Sequence, residues 1–301
     1  MIDHKILPFF FLSLLTCLTP LWAQNKVFND LLGVRAQAFG GAYRAVASGN
    51  DALYYNPAGM AFSRRYNLDA DYIYHPISTA HWTGLSLVDS TTSALAAGLD
   101  VHVGIDATQK PLNLTWLGSF SLAYPIADIF SLGVTLRYVY LSNQTTSNGD
   151  HKVTGDIGLM LQLPFGLSFA AVGYNLLPTQ TTELPLSVGF GAAFHLGAES
   201  SIASSPALAF KGFTLAVDYL LKGLLSDKTM QHQIAIGGEY YIADIVPIRL
   251  GYEWGITEKR HVLSAGLGVF FQVIEIEALF EQNLVDFNQR TFGAGLRVFF
   301  L

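Results

Sequence analysis

Apolar and polar positions alternate with a period of two along most of the chain, in segments of about ten residues separated by turn residues. In one such segment Leu132, Val134 and Leu136 alternate with Gly133 and Thr135. This alternation is typical of β-strands that have one apolar face. The pattern predicts fourteen strands, at 67–75, 79–88, 94–103, 116–125, 130–141, 151–162, 166–174, 186–196, 213–222, 232–242, 246–255, 261–271, 272–281 and 289–301.

The second face of these strands carries mostly Gly, Ser and Ala, with isolated charges. Such a face suits the crowded, wet interior of a barrel whose outer surface contacts lipid. An even strand number fits a single-chain barrel with both ends in the periplasm. We therefore predict an all-β fold, a transmembrane antiparallel β-barrel of about 14 strands over residues 67–301.

The connections between the predicted strands alternate in length, as they do in outer-membrane barrels. Short turns are predicted at 126–129, 164–165 and 243–244, and longer polar loops at 104–115, 142–150, 175–185 and 223–231. The segment 197–212 departs from this alternation, because it is long for the periplasmic side. Aromatic residues near strand ends resemble the girdles that meet lipid headgroups: Tyr72, Tyr74, Trp116, Tyr124, Tyr138, Tyr140, Tyr252, Trp254, Phe299 and Phe300.

Composition agrees with a surface that contacts lipid. Of the 301 residues, 51% are hydrophobic and 13% are charged, where soluble domains average about a quarter charged. These values exclude a disordered protein and are unusual for a cytosolic enzyme. The net charge of −6 argues against a nucleic-acid partner.

The first residues are typical of a secretory signal peptide. His4 and Lys5 precede an apolar run at 6–18, and Ala23 supplies the small residue of a cleavage site. We expect residues 1–23 to be removed together with Cys17, the only cysteine, which leaves no disulfide or thiolate metal site. A lipid anchor on Cys17 is the alternative, although the small residue that usually precedes such a cysteine is missing.

Charges on the predicted inner face have mixed signs: Arg137, Asp156, Asp218, Glu239, Arg249, Glu253, Glu275, Glu277, Glu281 and Arg297. Two roles are open for them. They pair across the lumen and hold the barrel, or they form a ring that selects ions. The mixture of signs favours salt bridges.

Residues 24–66 do not alternate as a strand that faces lipid does. Glycines at 40, 41 and 59 and the Asn56-Pro57 turn indicate a compact, irregular segment with close backbone contacts. Irregular backbone is tolerated at membrane depth only where protein encloses it. We therefore expect this segment to lie inside the barrel.

The run Gly40-Gly41-Ala42-Tyr43 and the later run at 50–60, with its Asn56-Pro57-Ala58 element, resemble the N-terminal hatch of the FadL/OmpP1/TodX superfamily and of the related PorV/PorQ group. The resemblance implies a hatch at 24–66 that plugs the barrel lumen. FadL-type members carry long-chain fatty acids or other hydrophobic molecules, whereas PorV-type barrels assist type IX secretion. The loops of this chain are shorter than those that build the surface groove of FadL-type transporters.

The resemblance implies a channel for hydrophobic small molecules in the bacterial outer membrane, such as long-chain fatty acids or aromatic hydrocarbons. A docking protein for secretion or outer-membrane assembly is the alternative. We expect Arg35 and Arg44 to meet a substrate carboxylate, or else to pair with Asp69 and Asp71 as part of a packed plug. The other hatch residues predicted to line or gate the path are Phe39, Gly40, Gly41, Tyr43, Tyr54, Asn56, Pro57, Ala58 and Phe62.

Other chemistry finds little support in the sequence. Eight histidines are scattered without metal-ligand spacing, so we predict no metal and no cofactor. The pairs His261 with Ser264 and His81 with Asp89 are weak signals for catalysis, and we predict that the chain is not an enzyme. The expected partners are outer-membrane lipid, a hydrophobic small molecule or detergent in the lumen, and, in the alternative role, a secretion-system protein. We expect a monomer.

Overall fold

The described residues form fourteen β-strands that close into an antiparallel barrel in the computed structural model. These residues are 32–106, 113–142, 149–177, 179, 184–196, 212–224, 230–243 and 245–300. The predicted signal peptide at 1–23, with Cys17, and most of 197–212 lie outside them. The strands are β1 (Tyr66–His75), β2 (Ala80–Asp89), β3 (Ala96–Asp106), β4 (Asn113–Ala127), β5 (Phe130–Leu141), β6 (Asp150–Gln162), β7 (Leu167–Tyr174), β8 (Ser187–Leu196), β9 (Phe213–Lys222), β10 (Gln231–Ile242), β11 (Val246–Gly255), β12 (Arg260–Phe271), β13 (Ile274–Asn283) and β14 (Arg290–Phe300).

Each strand pairs with its neighbours in the sequence, and β1 closes the barrel on β14. Tyr66 lies opposite Phe300 and Tyr74 lies opposite Phe292 in this closing pair. Closure gives the backbone of every described strand a partner on both sides, as a hydrocarbon environment requires. The predicted antiparallel barrel is thus confirmed.

The two faces of the strands differ as the alternation predicts. On β5, Leu132, Val134 and Leu136 are exposed, whereas Thr135 and Arg137 are buried. Exposed Leu, Ile, Val and Phe side chains recur on the outer face of the other strands. Apolar surface of this extent is typical of contact with lipid.

The largest departure from the predicted boundaries is around β4. The predicted loop at 104–115 is shorter, because β3 continues to Asp106 and β4 begins opposite it at Asn113. At its other end β4 reaches Ala127, inside the predicted turn at 126–129, after a register shift. Ladder hydrogen bonds continue there although the side-chain alternation has become weak.

Residues 32–65, here called the N-terminal segment, precede the barrel and are made of short helices. These are α1 (Val34–Ala38), α2 (Ala52–Tyr55) and 3-10 turns at Gly49–Asp51 and Pro57–Phe62. No helix among the described residues is long and apolar enough to cross a membrane. Apolar side chains of the segment are buried with wall residues in one hydrophobic cluster.

Candidate functional site

The N-terminal segment contacts strands on several sides of the barrel. Because β2, β5, β6, β7, β9, β10 and β14 are spread around the ring of strands, the segment is held from many directions. The hydrogen-bonded or ion-paired residues are Asn50–Ser86, Ala58–Ser131, Asn56–Leu159, Ala45–Ser168, Arg44–Asp218, Arg35–Glu239 and Asp51–Arg297.

Asn56 joins three parts of the chain with one side chain. Its Oδ1 accepts a hydrogen bond from the N–H of Ala58 at 3.1 Å, at the start of the Pro57–Phe62 turn. Its Nδ2 donates to the carbonyls of Arg44 at 3.1 Å and Leu159 at 3.2 Å. Buried carbonyls need a donor, so this fully buried amide fixes the segment against β6.

Glycines bring the backbone of the segment close to the wall. A Cβ atom on Gly158 of β6 would lie 2.1 Å from Asn56 Oδ1, and one on Gly251 of β11 would lie 2.0 Å from the Gly40 nitrogen. Gly40 and Gly41 have φ angles of 65° and 79°, in the left-handed region that favours glycine. These two predicted hatch residues therefore form a tight turn, and Gly40 seats it against the wall.

Arg35 is paired with a carboxylate of the barrel. Its Nη2 lies 2.7 Å from Oε1 of Glu239 and its Nε lies 3.2 Å from Oε2. Both side chains are buried. Burial alone lowers the pKa of Arg35, but the Glu239 carboxylate reverses this effect and the pKa lies well above its ordinary value. The guanidinium stays charged and is neutralised within the protein.

Arg44 is also compensated by the barrel. Asp218 Oδ2 accepts from the Arg44 backbone N–H at 2.8 Å and from Nη1 at 3.1 Å. The guanidinium also lies 5.3 Å from the ring centre of Tyr174 and 6.0 Å from that of Tyr55, which are cation–π distances. The Tyr174 hydroxyl in turn donates to the Tyr55 carbonyl.

Asp69 and Asp71, predicted as partners of the two segment arginines, have other partners, so that prediction is wrong. Asp69 accepts from Nε of Arg297 at 2.9 Å, and the two residues lie opposite each other in the β1–β14 register. Asp71 lies 3.1 Å from Nε2 of His102. Asp69 is thus held by the adjacent strand β14, and Asp71 is held by β3 across Gly84 of β2. The segment arginines instead contact β9 and β10, which are far away in sequence.

Six further charges of the predicted inner face lie in pairs of opposite sign. Because an isolated buried charge is unfavourable, this arrangement stabilises the wall rather than presenting a ring of one charge. Glu281 accepts from the Ser264 hydroxyl at 3.4 Å. The pairs are Arg137–Asp156 (2.9 Å), Arg249–Glu239 (2.6 Å), Arg249–Glu275 (2.9 Å), Arg249–Glu277 (2.5 Å), Arg297–Asp51 (2.7 Å) and Arg260–Glu253.

The aromatic residues of the segment pack edge to face. Ring centres of Phe39 and Tyr43 are 5.5 Å apart, and those of Tyr43 and Tyr55 are 5.8 Å apart. These rings and that of Tyr54 are buried, whereas Phe62 is half-buried. Burial raises the pKa of Tyr43, so its hydroxyl stays neutral. The predicted hatch aromatics, apart from Phe62, are thus buried beside the wall.

Sequence reasoning missed a buried histidine between two carboxylates. His102 Nδ1 lies 3.3 Å from Asp100, and Nε2 lies 3.1 Å from Asp71. The Tyr54 ring of the segment packs edge-on against His102 with centres 5.2 Å apart. Asp100 and His102 are two positions apart and therefore share a strand face, which was a usable signal. The contact with β1 depends on strand register.

The residue pairs considered for catalysis are not brought together. His261 points outward beside Trp254, whereas Ser264 is buried on the inner face of the same strand. His81 and Asp89 lie at opposite ends of β2. Among the described residues, no group of three His, Cys, Asp or Glu side chains could hold a metal ion.

A closed antiparallel barrel with an apolar outer belt defines the class of this protein. It is a bacterial outer-membrane β-barrel, and the predicted location is confirmed. No protein-family model and no curated protein sequence matches the chain.

Solved structures with the same fold include two transporters. The toluene transporter TbuX of Ralstonia pickettii has a TM-score of 0.62 at 14% identity, over 91% of this chain and 98% of that chain. The toluene transporter TodX of Pseudomonas putida has a TM-score of 0.60 at 13% identity, over 89% and 96%. The Acinetobacter baumannii outer membrane protein Omp33 has 0.50 at 8% identity, over 80% and 100%. At these identities the likeness shows the fold, which agrees with the fold that the FadL/OmpP1/TodX resemblance implies.

Proposed function

We propose that the chain is an outer-membrane channel for neutral hydrophobic small molecules, with residues 24–66 as a hatch in a barrel formed by 67–301. The observation that carries this proposal is the N-terminal segment, whose polar contacts reach strands on many sides of the barrel. A segment held in this way obstructs an open, water-filled pore. A molecule then passes where the hatch moves or leaves a gap.

The proposed path follows the hatch aromatics. Sites for apolar ligands are lined by apolar and aromatic side chains with a few polar groups that orient the ligand. Phe39, Tyr43 and Tyr54 supply the first kind of surface. Among the described residues, the buried Tyr43 hydroxyl and Gln37 amide have no hydrogen-bond partner, so they are available to a ligand or to water.

The compensated arginines favour a neutral substrate. The charges of Arg35 and Arg44 are already neutralised by Glu239 and Asp218. A fatty-acid carboxylate beside either pair would therefore be a buried charge without a counter-ion of its own, which is unfavourable. Aromatic or aliphatic hydrocarbons avoid this cost. TbuX and TodX are toluene transporters by name, which supports toluene as the first compound to test.

Uptake of radiolabelled toluene and radiolabelled oleate by cells that produce the chain tests the proposal. We expect toluene uptake to rise above that of cells without the chain, and oleate uptake to stay at background. Asp218→Asn removes the carboxylate that neutralises Arg44 and should raise oleate uptake in barrels that remain folded. Oleate uptake by the intact chain that equals or exceeds toluene uptake would contradict the assignment of a neutral substrate.

The same experiment separates the channel from a docking protein of the PorV/PorQ kind. A folded barrel that admits neither compound, and that co-purifies with a secretion-system protein, would replace the channel proposal. The proposed channel needs no cofactor and carries out no covalent chemistry. We propose that it acts as a monomer, because one chain closes the barrel.

A further inference from the structure

Four hairpins of the described chain carry the same tyrosine–histidine pair. Each histidine is the second residue of its strand, and each tyrosine is the fourth residue from the end of the preceding strand. We call the histidines of these pairs the rim histidines. The distances from the tyrosine hydroxyl to histidine Nδ1 are 2.6 Å for Tyr72–His81, 2.5 Å for Tyr138–His151, 2.6 Å for Tyr219–His232 and 2.5 Å for Tyr252–His261.

The pairs lie on the outer face of the barrel, at the end opposite the start of β1 and the end of β14. Tyr72 is 45% exposed and Tyr138 is 44% exposed, like the apolar residues that precede them on the same face. His81 stacks on Tyr74 with 4.8 Å between ring centres, and His261 stacks on Trp254 at 6.1 Å. In an outer-membrane barrel both termini are periplasmic, so this end lies in the outer leaflet. The pairs mark the upper border of the apolar belt, where headgroups begin.

The hydrogen bond fixes which nitrogen of each rim histidine carries a proton. Imidazole is far more basic than a phenol oxygen, so the tyrosine O–H donates and Nδ1 accepts. The proton of the neutral ring then resides on Nε2. Within the described part of the chain, no residue accepts a hydrogen bond from Nε2 of any rim histidine. Each pair thus presents a free N–H donor at headgroup level.

We propose that the rim histidines bind the phosphate groups of outer-leaflet lipids and thereby fix the depth of the barrel in the membrane. Phosphate oxygens are strong, charged acceptors and are concentrated at this level of a membrane. A hydrogen bond from a donor held by tyrosine requires little further ordering of the side chain. The repetition of the pair around the barrel gives several such contacts at one height. This proposal does not depend on what passes through the channel.

Lipid retention by the purified full-length chain in detergent tests the proposal. Phosphatidic acid and diacylglycerol with the same acyl chains differ only in the phosphate, and native mass spectrometry counts the bound molecules of each. We expect the intact chain to retain more phosphatidic acid than diacylglycerol. In the variant H81F/H151F/H232F/H261F the ratio of the two should fall about tenfold, as loss of a hydrogen bond to a charged group predicts. Phe keeps the ring that packs in the girdle.

The control is His75→Phe. His75 is the last residue of β1, at the same end of the barrel as the rim histidines but on the inner face. There it contacts the Thr291 hydroxyl at 3.1 Å, so this change should leave the preference for phosphatidic acid intact. An equal preference in the intact chain and in the folded fourfold His variant would overturn the proposal, as would the absence of any preference in the intact chain.

A second measurement does not depend on the fourfold His variant. Nitrogen NMR of labelled histidine in the intact chain should show the Nε2–H form for the rim histidines. The variant Y72F/Y138F/Y219F/Y252F removes only the hydroxyls and should shift this population while weakening phosphatidic acid retention. Rim histidines that carry the proton on Nδ1 in the intact chain would also refute the assignment.

Discussion

Asn56 gives hydrogen bonds to two carbonyls and accepts one from an N–H, all with a single buried amide. In Asn56→Ala these backbone groups lose their partner, at a cost of about 1–3 kcal/mol for each group. Because ladder hydrogen bonds hold β6 between its two neighbouring strands, we expect the barrel to fold with a loosened segment. Ion conductance across planar bilayers should rise above that of the intact chain.

Asn283→Ala is the matched control for this prediction. Asn283 also receives backbone N–H groups, those of Val285 and Asp286, but it does so in the β13–β14 connection. The Asn283→Ala variant should therefore keep the low conductance of the intact chain. Equal conductance of the Asn56→Ala variant and the intact chain would show that the amide does not hold the segment closed.

The Arg44–Asp218 pair allows a second prediction for single residues. Asp218→Asn leaves a buried guanidinium without its carboxylate and should lower the free energy of unfolding by about 3–5 kcal/mol. The double variant R44M/D218N should recover most of this loss, because neither charge remains. Urea unfolding of the barrel in lipid vesicles measures both values. Additive losses would mean that the two side chains do not interact.

Among the structural elements, β11 carries one of the wall glycines that the N-terminal segment approaches closely. A methyl group on Gly251 would lie 2.0 Å from the Gly40 nitrogen, whereas one on Gly238 of β10 would meet nothing closer than 3.4 Å. We expect Gly251→Ala to displace the tight turn at 40–41 and to expose the segment to protease in a folded barrel. Gly238→Ala should remain resistant. Equal digestion of the two variants would argue against close seating.

Strands such as β5 were predictable because a period of two is a local property of the sequence. The ends of β3 and β4 were not, since the ladder continues there through backbone hydrogen bonds that side chains do not report. Partners of the segment arginines depend on which strands lie across the barrel. Glu239 and Asp218 are far from Arg35 and Arg44 in sequence, so no local pattern could predict these pairs.

For the whole molecule, closure of β1 on β14 leaves no strand edge unpaired in the described barrel. We expect the chain to fractionate with the outer membrane and to migrate faster on a gel when unboiled, because the intact barrel stays compact in detergent. Boiling should slow its migration to that of an unfolded chain. Identical migration of both samples would contradict a stable closed barrel.

The resemblance of residues 40–60 to a known hatch located the residues of the candidate site, and the structure brings most of them together as a buried unit. The tyrosine–histidine pairs and the contact between His102 and Asp71 were not predicted, because each depends on which residues lie side by side on different strands. In both cases the histidine alone is unremarkable in sequence. The register between strands decides which side chain lies beside the histidine, and that neighbour determines its hydrogen bonds.

We propose that the N-terminal segment controls the passage of hydrophobic molecules through this barrel. Asn50 Nδ2 lies 2.7 Å from Ser86 Oγ, so the variant N50C/S86C brings two thiols near enough to join segment and wall by a disulfide or by a reducible bis-methanethiosulfonate linker, in a chain whose only native cysteine is Cys17. Radiolabelled toluene uptake is measured under oxidising and then reducing conditions, with N50C alone as the control. We predict low uptake when the disulfide is formed and recovery after reduction, with no change in the control. Equal uptake by the double variant before and after reduction would show that the N-terminal segment does not control passage.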